Sequence, residues 1–503
     1  MKKFLLSIFL SIILCPLFFL LSGCQNEVKK IDSIDDLKNA RIGVWASSAY
    51  ELKAREFLPN ANYVYLNFIS DLVGNLLNHK IDAFVIGKSS AENIKSTGIA
   101  IDYLPQNLGD LPVAYIFPKN DRGQKICNEM NEFLLKIEAS GELDALKNKW
   151  FNSDESNRTF EKTPSTGEHG TLKICTNGEE APFIYLREGQ LVGYELELFD
   201  KFCAAYGYNY ESKIDLFPTM LIDVTTGKAD VGMNAMEKTP EREDKVLFSN
   251  QTFVEQAVAV INSKSGSGGL NVADRIKASL IDENRWQMIV EGTFTTLFIT
   301  IASIIFGTLL GLGTYLVYRE KNWLINKIID VIYRTLQGVP TMVLLLLFYY
   351  AVFGSVSIHS NVVAVIVFSI VLSVAVFIML KGGTESISVG QLEAALALGF
   401  SERRAFIKFI LPQVIRNYFA TYQLNLNIIM LETAIVGYIS VQDLTRVADM
   451  IRARTYDAFI PIITIALVYF LLSKILFSVT DIIACKINPK NRSREKILDG
   501  VKL

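Results

Sequence analysis

Histidine is scarce in this chain: there are three, at 79, 169 and 359, far apart. The six cysteines, at 15, 24, 127, 175, 203 and 485, form no CxxC pair. Residues so scattered build neither a metal cluster nor a Cys/His catalytic pair. An excess of one charge is missing too. Lys and Arg number 50 against 52 Asp and Glu, so no global basic surface points to nucleic acid. A phosphate-cradling GxxxxGK(S/T) loop is also absent. The nearest stretch, Asp82-Ala83-Phe84-Val85-Ile86-Gly87-Lys88-Ser89, lacks the first glycine. With no nucleophile–base set and no cofactor loop, the chain reads as a non-enzyme without cofactor. Any ATP it depends on is hydrolysed by another chain.

Apolar length is what the sequence has in abundance. Half of it is hydrophobic, and the excess lies mostly beyond residue 290. Residues 293–317 are 25 in a row without a charge, enough to cross ~30 Å of hydrocarbon. Further spans fit at about 339–354, 361–380, 417–439 and 458–483. Pro340 can stand at a helix start, where its missing N–H costs nothing. The fourth span carries Asn425, Asn427 and Glu432 and should face other helices or a polar cavity. Five spans put the chain's two ends on opposite sides. On one side the connecting segments and tail hold fifteen Lys and Arg; on the other they hold three, Arg446, Arg452 and Arg454. The positive-inside rule then sets the C-terminus in the cytoplasm and the N-terminal half outside.

The N-terminus agrees. Lys2 and Lys3 precede an apolar run over 4–20 and then Leu21-Ser22-Gly23-Cys24. This resembles the lipobox of bacterial lipoproteins, which implies a signal peptide over 1–24 and lipidation at Cys24; an uncleaved anchor would export the chain as well. Residues 31–151 read as soluble α/β, with strands expected at Arg41–Ala46, Tyr63–Asn67, Ala83–Gly87 and Val113–Pro118. Residues 152–170 are polar and aperiodic, a linker. Residues 171–262 are α/β again, with strands expected at Leu172–Thr176, Tyr208–Ile214, Ala229–Met236 and Val258–Asn262. A second linker, 263–284, opens with a Gly/Ser-rich run. The transmembrane domain occupies 285–485, and 486–503 are a basic tail.

Gly390-Gln391-Leu392-Glu393-Ala394-Ala395-Leu396-Ala397-Leu398-Gly399 is followed by Ile410-Leu411-Pro412. This resembles the EAA loop of ABC importer permeases, here about 381–416. Lys381-Gly382-Gly383-Thr384-Glu385-Ser386-Ile387, Thr433-Ala434-Ile435-Val436-Gly437-Tyr438 and Gly338-Val339-Pro340 are similar to the polar amino acid branch. Gln337 stands where that branch usually has Arg, and Phe409 where Ile is usual. The resemblance implies an all-α five-helix domain of the type I importer kind. Its loop would be a helix, a glycine turn at Gly399 and a second helix ended by Pro412. In that family the loop docks on an ATPase. Glu393 is implied as the ionic contact, with Ala394, Ala395, Leu411 and Pro412 in the same motif.

The exported part resembles family 3 amino acid binding proteins, but in the wrong order. Ala181-Pro182-Phe183, Gly189-Gln190-Leu191-Val192-Gly193-Tyr194-Glu195, Gly227-Lys228-Ala229-Asp230-Val231 and Thr239-Pro240-Glu241-Arg242 match the first lobe. Ile42-Gly43-Val44, Ile81-Asp82-Ala83-Phe84-Val85 and Lys149-Trp150-Phe151 match the later part, yet precede it. One circularly permuted, two-lobed domain is the expectation. The resemblance implies that a solute is held between the lobes, with Arg242 clamping its carboxylate, Phe217 stacking on it and Ser48 donating to it. The usual acidic partner for an ammonium should lie near Gly87, which cannot supply it. Glu237 stands where Ser or Thr is usual, Glu180 near an often aromatic position and Asn177 where Asp is common. Either Glu180 or Glu237 takes the cationic end, or the solute is not a standard α-amino acid.

The expected whole is the membrane and binding subunit of an importer for an amino acid or related small polar solute. It would sit in the bacterial cytoplasmic membrane, paired as a homodimer and driven by cytoplasmic ABC ATPases. A ligand-gated channel or a solute receptor on the same binding fold is the alternative. The channel would need a re-entrant pore loop, and the receptor a cytoplasmic output domain.

Overall fold

The computed structural model describes residues 31–487 apart from Ser47, 264–270, Lys321, Ser355 and Ser357. Cys24 and the tail beyond 487 lie outside the described residues. The chain divides into two compact units: residues to Leu111 with Glu255–Gly269, and Pro112–Val254 with Leu270 onward.

The first unit is an α/β lobe. Its sheet runs in the order Asn62–Leu66, Arg41–Trp45, Ala83–Gly87, Phe253–Asn262, Ile101–Tyr103. The first three strands are parallel; the fourth is antiparallel to the third, with Ala259 opposite Val85. Helices Ala49–Phe57, Ile69–Leu77 and Lys88–Ser96 connect these strands. Ile42, Val44, Phe84 and Val85 are fully buried, each stabilising the lobe by about 1.5–3 kcal/mol. The expected strand Val258–Asn262 begins earlier, at Phe253, and residues 255–262 belong to this sheet, not to the lobe that precedes them in sequence.

The second unit opens with another α/β lobe, residues 112–254. Its sheet order is Asn209–Ile214, Thr171–Thr176, Val231–Gly232, Ile116–Phe117, Leu247–Phe248. Of the strand expected over Ala229–Met236, only Val231–Gly232 joins the ladder; Ala235 turns away at φ 48°. Helices Asp121–Ala139 and Glu142–Phe151 bring Phe133, Leu146 and Trp150 into one core with Phe183, Phe199 and Phe202. Residues from before the 152–170 segment thus complete a lobe begun after it. That segment lies against the lobe: the Thr163 N–H donates to Asp200 at 2.7 Å, and Phe160 packs on the core. We call 112–254 the first lobe and 31–111 with 255–263 the second.

The rest of this unit is helical. Arg285–Tyr318, Ser360–Glu385 and Phe459–Ile487 lie within stretches long and apolar enough to span a membrane singly. Among the described residues, two bent pairs raise the number to as many as five: Trp323–Gln337 with Thr341–Val352, bent by 106°, and Glu402–Ile439 with Leu444–Thr455, bent by 53°. Pro340 caps the helix that starts at Thr341. The chain is therefore two α/β lobes followed by a helical membrane domain, as the sequence predicted. Glu432 meets another helix, accepting from Thr341 Oγ1 at 3.2 Å.

Candidate solute and coupling sites

Arg242 sits on the short helix Pro240–Glu243, which Thr239 caps by accepting from the Arg242 N–H. The guanidinium is buried. Its Nη1 donates to a Glu237 carboxylate oxygen at 2.8 Å and to the Glu237 carbonyl at 3.0 Å. It also lies 5.5 Å over the ring of Phe217, the first residue of helix Phe217–Thr225. The structure thus joins Arg242, Phe217 and Glu237, and Glu237 neutralises the group expected to hold a carboxylate.

Asn177 and Glu180 lie close in sequence on the turn after strand Thr171–Thr176, both buried. The Asn177 side chain accepts from the Glu179 N–H at 2.9 Å, so it shapes the turn. Nearby, Glu195 is fully buried with one oxygen accepting from the Ala235 N–H at 2.9 Å. Burial first, then the Glu237 charge, push its carboxyl up to about 8, against that hydrogen bond.

In the second lobe Ser48 caps helix Ala49–Phe57: its Oγ accepts from Glu51 N–H and donates to the Trp45 carbonyl at 2.7 Å. An acidic side chain does lie beside Gly87. Glu255 is buried, and its carboxylate accepts from the Ser89 N–H at 3.2 Å and the Gln256 N–H at 2.9 Å. A Cβ on Gly87 would come within 2.7 Å of the Glu255 side chain and of Tyr50 Oη.

The loop that resembles the EAA loop carries the helix Val389–Ala397. Glu393 and Ala394 are exposed and Ala395 is buried. Leu396 and Leu398 are also exposed, the latter by 76%, an apolar surface larger than a water-facing helix needs. Gly399 turns the chain at φ 84°, open to glycine at little cost. Pro412 does not end the following helix. The backbone stays helical through a π turn, Phe406–Ile410, and Pro412 lies in the first turn of Leu411–Glu432. There its absent N–H lacks no partner, and the wide turn absorbs the ring.

Residues 303–489 match the family described as binding-protein-dependent transport system inner membrane component, and residues 172–367 match bacterial extracellular solute-binding proteins, family 3. The chain fuses a solute-binding domain to an ABC importer permease domain. The two matches overlap over 303–367, which is mostly helical and belongs with the permease part of the fusion. A putative glutamine transport system permease protein GlnP of Rickettsia typhi is 29% identical over 200 residues, 39% of the fusion and 92% of that protein. The arginine ABC transporter permease protein ArtQ of Haemophilus influenzae is 28% identical over 179 residues, 33% and 80% of the two chains. The L-cystine transport system permease protein TcyB of Bacillus subtilis is 27% identical over 216 residues, 42% and 92%.

Sequence reasoning missed Glu255 in the fusion. Its only trace is a lone charge in the otherwise uncharged strand Phe253–Asn262, and nothing in the order of residues brings it to Gly87.

Proposed function

We propose that this chain captures an amino acid, or a related small polar solute, outside the membrane and passes it through its own permease domain. The observation that carries this is the union of a solute-binding and a permease domain in one chain. The solutes in its relatives' names, glutamine, arginine and cystine, point to the amino acid class. Arg242 takes the carboxylate through its planar fork, and Glu237, its ion-pair partner, balances its charge. Phe217 covers the solute, Ser48 donates from the second lobe, and Glu255 takes the ammonium in place of the acid that Gly87 lacks.

The binding domain is a single permuted one. In support, the second lobe needs strand Phe253–Asn262 for its sheet and the first needs 112–151 for its core, so neither half would be whole alone. The contacts of the first lobe with the membrane domain fall at Tyr349, Arg446 and Arg454. Arg446 and Arg454 lie on a stretch that the charge bias assigns outside, and Tyr349 lies toward the outer end of the second span, which supports an external binding domain and a cytoplasmic C-terminus. A cytoplasmic ABC ATPase docks on 389–412, and two copies pair because a five-helix domain lines half a pathway.

Purification of the full chain from its native membrane in mild detergent tests this. A nucleotide-binding chain with a phosphate loop should accompany it and be lost with Leu398→Asp, while solute binding persists. A chain that comes alone, even after cross-linking, and that passes ions when solute is added would favour the channel instead.

A further inference from the structure

We infer that the first lobe is fixed on the outer face of its own permease domain, and that Arg446 is the residue that fixes it. This rests on the transport reading for the roles of the two domains. Arg446 belongs to helix Leu444–Thr455, and its side chain is only 1% exposed. Nη1 donates to a Glu179 oxygen at 3.1 Å; Nη2 donates to the carbonyls of Asn177 at 3.3 Å and Asp215 at 3.0 Å. A buried guanidinium is costly unless charge and hydrogen bonds are both answered; here one carboxylate and two carbonyls answer Nη1 and Nη2, and only Nε has no hydrogen-bond partner among the described residues. The three acceptors lie on the turns that follow strands Thr171–Thr176 and Asn209–Ile214, the turns that carry Asn177 and Glu180 and lead to Phe217. The membrane domain therefore grips the lobe directly behind its solute turns.

Arg446 is itself anchored. Its N–H donates to Asp443 at 3.0 Å, and its side chain packs beside Gly437. Residues 433–439 continue the helix Leu411–Glu432, which starts at the end of the coupling loop. One nearly continuous helical stretch thus runs from that loop to Ile439, and residues 440–443 join it to the helix that carries Arg446.

Two further contacts hold the same face. Tyr349 is clasped by two lysines of the lobe: Lys213 Nζ donates to its Oη at 2.7 Å, and Lys228 Nζ to its carbonyl at 2.7 Å while lying 3.5 Å over its ring. Arg454 joins Glu283 at 2.7 Å and also pairs with Glu155 of the lobe. A lobe held at these points is a stationary part of the permease, and it covers the surface on which a free binding protein would land.

Amide hydrogen exchange on the full chain in lipid nanodiscs, without solute or ATPase, tests the grip. In the wild type the turns 177–180 and 213–216 should exchange at least tenfold more slowly than in Arg446→Met, with strand Arg41–Trp45 unchanged between the two. Arg446→Lys, which keeps the charge but not the fork, should fall between them. Tyr349→Phe keeps the ring and removes one acceptor; it should speed 213–216 alone and serves if Arg446→Met does not fold. Wild-type turns as fast as an open loop, or turns indifferent to both substitutions, would overturn the inference. Failure to find any solute would leave this result standing.

Discussion

Glu255 fills the space that a side chain on Gly87 would need: a Cβ there would lie 2.7 Å from its Cγ and 2.8 Å from its carboxyl carbon. If this carboxylate receives the solute's ammonium, Glu255→Gln should weaken α-amino acids about tenfold or more, the scale of a charge-assisted hydrogen bond. A carboxylate analogue without the amine should be unaffected. Titration calorimetry on the full chain reads both. Gly87→Ala should act in the same direction by displacing Glu255.

Glu237 and Arg242 make the opposite case. Because Glu237 pairs with the guanidinium, a solute carboxylate must compete with it, and Glu237→Gln should tighten carboxylate-bearing solutes about tenfold, near 1.4 kcal/mol. It should also lower the unfolding temperature, since a buried cation loses its counter-ion. Weaker binding in this variant would assign Glu237 to the cationic end of the solute.

Gly399 lies where a Cβ would meet nothing within 4 Å, yet at φ 84°. Gly399→Ala therefore costs about 1–2 kcal/mol of backbone strain and no clash. The expected outcome is loss of ATPase co-purification with solute affinity unchanged.

Glu195 gives a pH dependence with a definite sign. Its folded pKa, raised by burial to about 8 from 4.5, means that the folded lobe keeps a proton the unfolded chain has lost. Stability should therefore fall as pH rises from 4.5 to 8, by up to about 1.4 kcal/mol per pH unit. Thermal unfolding of Glu195→Gln across that range should lack this slope, so its advantage over wild type grows with pH.

Much of this was legible in the sequence because it is local. Apolar runs with short breaks gave most strands of both lobes, and uncharged length gave the membrane helices. The coupling helix and its glycine turn came from ten consecutive residues. Two of the misses are long-range. Glu255 reaches Gly87 only through the antiparallel pairing of strand 253–262, and Arg446 meets Asn177 across more than 260 residues. Pro412 misled because a proline marks a helix end in sequence, whereas a π turn lets the chain carry on. Trp323–Gln337, with Trp323 and Ile328 exposed, escaped because its charges broke the apolar run.

The most direct test of the account is titration of the full chain in nanodiscs with L-glutamine, L-arginine and L-cystine, beside Arg242→Ala. The account predicts saturable binding of at least one α-amino acid that Arg242→Ala abolishes. Binding that survives the loss of Arg242, or none at all with a folded chain, would contradict it.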